Sequence, residues 1–211
     1  MQASELTMVM HRLCEESQQN HPFTIHSWTP APLQLEKVVR LDWPMVCVFD
    51  LVANHKIWPK IFPWLQDVVV DNTHAIVKNG LGARRRCNFG NGMILEEVII
   101  GWHPPQMYAY ASLDDNHPFG MTSHVGVLSC GNALLDDVEQ NASGDVGSTQ
   151  TTLTWRHYFH HLNPAAMQTQ LNQSLDAAIQ GLIGCCGGKV QSTTYNTNKL
   201  RTNKEQVIKW L

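Results

Sequence analysis

The sequence has little of what marks most dedicated chemistries. Charged residues are only 16% of 211 positions, and Lys plus Arg (15) do not exceed Asp plus Glu (18). A general nucleic-acid binder carries a basic excess, so no nucleic acid is expected as a partner. No run approaches the ~18 apolar residues of a membrane span, so no transmembrane segment is expected. The first twelve residues have neither the basic opening nor the apolar core of a signal peptide.

Cysteines are few and unpaired in pattern. They stand at 14, 47, 87, 130, 185 and 186, without a C-x-x-C pair. Adjacent Cys185 and Cys186 suit neither a zinc site nor an internal bridge. Cys47 and Cys87 sit in apolar runs, as small hydrophobes of a reducing, cytoplasmic protein would. The sequons at Asn141 and Asn172 are then chance matches. Gly80-Leu81-Gly82 and Gly90-Asn91-Gly92 lack the further glycine and strand-to-helix context of a dinucleotide site. Neither a Walker pattern nor a Gly-x-Ser-x-Gly elbow occurs. Neither a cofactor nor a metal is expected.

What is present suffices for a core. Apolar residues make up 43%, and a chain of this size buries about 70% of the surface its unfolded form exposes. Residues 1–34 are polar and irregular, with one weakly helical stretch near 4–18 and breaks at Pro22, Pro30 and Pro32. Residues 35–42 alternate as a strand. Pro44 opens a short helix over 44–53, because its missing N–H would be unpaired there anyway. A second, Pro-broken helix covers about 54–64.

From 66 to 161 the signals are those of strands, including 67–71, 83–89, 93–102, 106–112, 121–135 and 149–161, with a turn region over 139–148. Asn91-Gly92 between alternating runs is a strong hairpin signal, since both turn positions need positive φ. A two-residue turn there sets Arg86 opposite Glu97, and a slip of one residue sets Arg85 there instead. Asn163-Pro164 then starts one long helix, Asn as cap and Pro as first residue. Met167, Leu171, Leu175, Ala178, Ile179, Leu182 and Ile183 form its apolar stripe, and the glycines around Cys185-Cys186 end it. The tail after Gly188 is polar and locally basic (Lys189, Lys199, Arg201, Lys204 and Lys209).

Strand, two short helices, a long antiparallel run and one amphipathic helix can enclose an apolar cavity between helix and curved sheet. Four local patterns, in this order, make the resemblance specific. They are Met45-Val-Cys-Val-Phe-Asp-Leu-Val-Ala53 followed by Trp58-Pro59 and Trp64, and Gly80-Leu-Gly82 before a basic strand. Next come Gly92-Met-Ile-Leu-Glu96-Glu97 with Trp102-His-Pro-Pro105 and Tyr108-Ala-Tyr110, and last Thr151-Thr-Leu-Thr-Trp155. Residues 35–187 thereby resemble the START-like (SRPBCC) superfamily, in its polyketide cyclase/dehydrase and lipid transport branch. The resemblance implies an α+β helix-grip fold, a curved antiparallel sheet wrapped around a long C-terminal helix. It implies binding of a small hydrophobic molecule: a lipid, an isoprenoid or an aromatic polyketide-like compound. A cyclase or dehydratase using the same cavity is the alternative. The extensions, 1–34 and 188–211, could cover the cavity mouth, pair in a homodimer or bind a partner protein.

Candidate residues follow. Arg86 and Glu97 could hold a ligand oxygen at the cavity wall, because a guanidinium binds two oxygens at once. In the family the matching Glu is characteristic, which favours Glu97 over Glu96. On the outer face the same pair would be a surface ion pair worth ~0.2–1 kcal/mol. His157 shares its face with Leu153, Trp155 and Phe159 and could orient a polar group or move a proton. His157 and His161 lie roughly 13 Å apart along a strand and cannot hold one ion. Tyr110, Leu153, Trp155 and Phe159 are the candidate grips for a flat ligand, closed over by Met167, Leu171 and Leu175. A filled core would use the same side chains.

Overall fold

The computed structural model describes residues 25–113, 117–132 and 150–195. The helical stretch expected near 4–18, the turn region 139–148, Asn141 and most of the basic tail lie outside these.

Among these residues, eight strands form one antiparallel sheet. They are β1 (Leu33–Leu41), β2 (Asp67–Asp71), β3 (Arg84–Asn88), β4 (Ile94–His103), β5 (Met107–Ser112), β6 (Thr122–Asn132), β7 (Thr151–His160) and β8 (Lys189–Tyr195). Their order is β2-β3-β4-β5-β6-β7-β1-β8. Helix α1 (Met45–Ala53) and the single turn α2 (Trp58–Ile61) follow β1, and α3 (Pro164–Cys186) follows β7. At about 1.5 Å per residue, α3 is roughly 35 Å long and crosses the concave face. No helix among the described residues is long and apolar enough to cross a membrane.

Local chemistry accounts for the ends of α3. The Asn163 side chain accepts from the Ala166 N–H at 3.2 Å, and Pro164 occupies the first turn. Gly187 ends the helix with φ of 71°, a conformation that glycine adopts without steric cost.

Alternation divides the sheet's residues between two apolar layers. Leu35, Val39, Ile99, Tyr108, Tyr110, Leu128, Leu153 and Trp155 pack inward with Leu175, Ala178, Ile179 and Leu182 of α3. The opposite face carries Met107, Ala109, Val125, Val127 and Tyr158, covered by Ile25, Trp28 and Ala31. Trp28 reaches the sheet because Gly101 has no side chain: a Cβ there would stand 2.9 Å from the indole. Residues flanking 35–187 therefore take part in the fold. Residues 25–31 cover the back of the sheet, and Lys189–Tyr195 extends it beside β1.

The β3–β4 register sets Arg85 against Glu97 and Arg86 against Glu96. Asn91-Gly92 closes the turn, the Met93 N–H donating to the Gly90 carbonyl at 2.9 Å, but the Met93 carbonyl accepts from the Phe89 N–H at 3.0 Å. Gly90, with φ of 80°, is therefore an extra residue, and the register slips by one. Arg86 is thereby corrected as a cavity residue. Its side chain is 57% exposed, 3.7 Å from Glu96 on the wet face.

Candidate functional site

Between the concave face and α3 lies a cavity of about 260 Å³. Its deep wall is built by Trp58, Arg85, Glu97, Tyr110, Trp155 and His157. Trp64, Phe89, Met93, Phe119, Gln170 and Leu171 line it where side chains are more exposed. Trp64 stacks on Phe89 at 5.6 Å, and Phe89 meets Phe119 edge-on at 5.1 Å. Aromatic pairs of this kind prefer offset or edge-to-face geometry.

Arg85 dominates the deep end. Its Nε donates to Glu97 Oε2 at 2.6 Å, both side chains being buried. The guanidinium carbon sits 4.1 Å from the ring centre of Trp58 and 4.1 Å from that of Tyr110. Two such contacts in a desolvated site each favour the cation. Burial by itself would lower the Arg85 pKa, but the Glu97 carboxylate, with smaller contributions from neighbouring groups, turns the net shift upward. The guanidinium stays charged. Its Nη1 and Nη2 atoms nevertheless find no hydrogen-bond partner among the described residues. Burial pushes the Tyr108 hydroxyl well above its ordinary range, with nearby Arg85 opposing the shift; the hydroxyl donates to the Val52 carbonyl at 3.0 Å.

Neighbouring elements hold this arrangement. Trp58 Nε1 donates to the same Val52 carbonyl at 2.9 Å, tying α2 to the end of α1. Trp155 Nε1 donates to the Tyr110 hydroxyl at 3.1 Å. Tyr110 can lie flat because β6 places Gly126 beside it, where a Cβ would fall 2.1 Å from the ring.

A histidine row borders the same space. His117 Nε2 lies 3.2 Å from His124 Nδ1, and His124 Nε2 lies 3.1 Å from His157 Nδ1. The Phe119 N–H donates to His117 Nδ1 at 3.2 Å. Burial, then the neighbouring histidines and Arg85, hold His124 well below the ordinary histidine range. Burial, then Arg85 and His117, bring His157 to about 3. Both rings are neutral at neutral pH. His124 offers opposite nitrogens to its two neighbours, so one ion cannot be shared by all three rings.

The expected site residues divide as follows. Glu97, Tyr110, Trp155, His157, Met167, Leu171 and Leu175 line the cavity. Leu153 and Phe159 are on the inner face of β7 but not on the cavity wall, which corrects their expected place. β7 is longer than the cavity, and its ends are filled: Leu153 lies in the main core, and Phe159 is covered by Met121 and Met167. Arg85 stands where Arg86 was expected. His117 and His124 were not singled out from the sequence. The even-numbered alternation of His124 with Gly126, Leu128 and Cys130 was the available signal for His124.

No protein-family model matches the sequence, and no curated protein does. Solved structures do match in shape. XoxI from Bacillus cereus aligns with a TM-score of 0.55 at 12% identity, over 72% of this chain and 93% of that one. A START superfamily protein from Mycobacterium smegmatis aligns with a TM-score of 0.53 at 12% identity, over 74% and 97%. The ZhuI aromatase/cyclase from Streptomyces sp. R1128 aligns with a TM-score of 0.50 at 18% identity, over 72% and 93%. At such identities the likeness is one of fold. With its antiparallel sheet closed over by a long C-terminal helix, the chain has the START-like helix-grip fold that aromatase/cyclases also use.

Proposed function

We propose that this chain binds a small, largely apolar molecule carrying an acceptor oxygen, with the body of the ligand between Trp155, Tyr110 and the α3 side chains Met167, Leu171 and Leu175. The observation that carries this reading is the buried Arg85 guanidinium, whose two Nη groups have no hydrogen-bond partner among the described residues while the residue lines an aromatic cavity. Buried donors left unsatisfied cost about 1–3 kcal/mol each, and native proteins carry few of them. A ligand oxygen at that end would supply the missing acceptor. Glu97 already neutralises Arg85, so a carbonyl or phenolic oxygen suits the pair better than a second carboxylate. An engineered apolar cavity of about 150 Å³ takes benzene, so this larger space suits a ligand of more than one ring or a short isoprenoid or acyl segment.

The same polar end favours a second reading, a cyclase or dehydratase. Arg85, held by Glu97, would polarise a carbonyl, with His157 beside it. Native followed by denaturing mass spectrometry of the purified protein tests the first reading by releasing a co-purified apolar compound. An empty protein that also fails to bind a fluorescent apolar probe would sink it. Loss of turnover in His157→Ala with the fold and ligand retained would select the enzyme.

A further inference from the structure

We infer that His117, His124 and His157 form a one-way hydrogen-bond chain that locks His157 as a neutral Nε2–H donor, so that the ligand presents a second acceptor oxygen to it. This rests on the ligand-binding reading above and specifies the ligand further.

The direction follows from one backbone group. A neutral imidazole has one N–H and one bare nitrogen. The Phe119 N–H is a fixed donor, so His117 Nδ1, 3.2 Å away, accepts and is bare. The His117 proton is then on Nε2, which donates to His124 Nδ1 at 3.2 Å. That leaves the His124 proton on Nε2, which donates to His157 Nδ1 at 3.1 Å. The His157 proton is therefore on Nε2, the atom that finds no partner among the described residues. Each link fixes the next, as the bond made by one ring nitrogen sets the state of the other.

This arrangement donates a hydrogen bond but does not by itself release a proton. If Nε2 of His157 gave up its proton, protons could shift along the chain from His124 and then from His117. His117 would be left bare at Nε2 while its Nδ1 still faces the Phe119 N–H. An imidazolate in a buried site is prohibitive. Nor can Nε2 act as a base, because it already carries hydrogen. His157 is thus suited to holding a carbonyl or a developing enolate oxygen, the role a neutral imidazole plays as an electrophile. This differs from the proton-moving role its sequence context suggests.

Arg85 and His157 both border Tyr110, the guanidinium 4.1 Å over the ring and the imidazole 6.4 Å from it edge-on. The fitting ligand class is an apolar compound with two oxygens at one end, such as a β-dicarbonyl or a phenol with a neighbouring ketone.

Long-range proton–nitrogen NMR of protein labelled with ¹⁵N-histidine reads the tautomers directly. At neutral pH, His157 and His124 are expected to carry hydrogen on Nε2 alone. Adding 8-hydroxy-1-tetralone, a phenol with a neighbouring ketone, should shift the His157 Nε2 signal, and the hydrocarbon tetralin should not. His124→Phe should leave His157 a mixture of tautomers. His124→Gln should preserve the Nε2–H form, since its amide can accept from His117 and donate to His157. Should His124→Phe fail to fold, the wild type and His124→Gln still decide. Hydrogen on Nδ1 of His157, or a mixture in the wild type, would overturn the chain. A locked Nε2–H that ignores bound 8-hydroxy-1-tetralone would overturn the ligand assignment while leaving the cavity reading intact. If neither compound binds, the cavity reading itself fails, and the ligand assignment with it.

Discussion

Arg85 touches Glu97 through Nε alone, at 2.6 Å, while its two outer nitrogens have no hydrogen-bond partner among the described residues. The guanidinium lies between the rings of Trp58 and Tyr110, and both members of the pair are buried. Removing one member of a buried ion pair typically costs 3–5 kcal/mol, because the other is left as an uncompensated charge. Arg85→Met should therefore lower the urea unfolding free energy by about 3 kcal/mol or more. Arg85→Met combined with Glu97→Leu should recover much of that loss. Arg86→Met, which removes an exposed pairing with Glu96, should change stability by less than about 1 kcal/mol. Equal losses at 85 and 86 would contradict the register.

That register was half legible in the sequence. Asn91-Gly92 marked the hairpin, but the turn takes Gly90 as well, and one extra turn residue shifts every pairing behind it. The strand itself held the answer: Arg84, Arg86 and Asn88 form one wholly polar parity, leaving Ala83, Arg85 and Cys87 to face the core. A buried arginine hid that pattern because it breaks the apolar face it belongs to. In β7 the odd parity read correctly, and Trp155 and His157 do face the cavity. What alternation cannot give is where along a strand the cavity stops, and so Leu153 and Phe159 were placed on its wall. The histidine row was illegible for another reason: it joins the approach to β6, β6 itself and β7, which are brought together by pairing rather than by spacing.

Three of the four buried histidines among the described residues predict acid sensitivity. Burial lowers His55 well below the ordinary range, with Arg85 adding to it, and lowers His124 and His157 for the causes given above. The unfolded chain binds protons near pH 6.5 while the folded one resists them, for His157 down to about 3. Their contribution to stability is thus complete above about 6.5 and is lost as pH falls through that window. Each can steepen the slope by up to about 1.4 kcal/mol per pH unit. Urea midpoints measured from about pH 7 to about pH 4 should fall, and His157→Phe should flatten the fall. A flat wild-type profile would show that the rings are not buried and neutral.

Gly126 sets the seat of Tyr110. A Cβ there would fall 2.1 Å from the tyrosine ring, whereas at Gly131, on the same strand, it would meet nothing within 4 Å among the described residues. Gly126→Ala must push the ring toward Arg85 or out of the cavity, and overpacking of this kind costs about 1–3 kcal/mol. It should also weaken binding of an apolar probe. Gly131→Ala should leave both properties close to wild type. Titration of the probe on the two variants separates a local repacking from a general weakness of β6.

Two leucines distinguish core from cavity wall. Leu153 is 1% exposed in the solid part of the core, and Leu175 is 2% exposed but borders the cavity. Truncating a leucine in a packed interior costs roughly 2–5 kcal/mol, with the larger losses where a new void is left. Around Leu153, neighbours close on all sides, so Leu153→Ala should cost an amount in the upper part of that range and leave probe affinity unchanged. Leu175 already has empty space on one side, so fewer contacts are lost. Leu175→Ala should cost nearer the lower end, and the enlarged space should admit a bulkier probe than the wild type accepts. The decisive pattern is opposite ordering in the two measurements, Leu153→Ala worse for stability and Leu175→Ala the one that alters binding. If both variants alter stability alone, the space beneath α3 is packing slack rather than a ligand site.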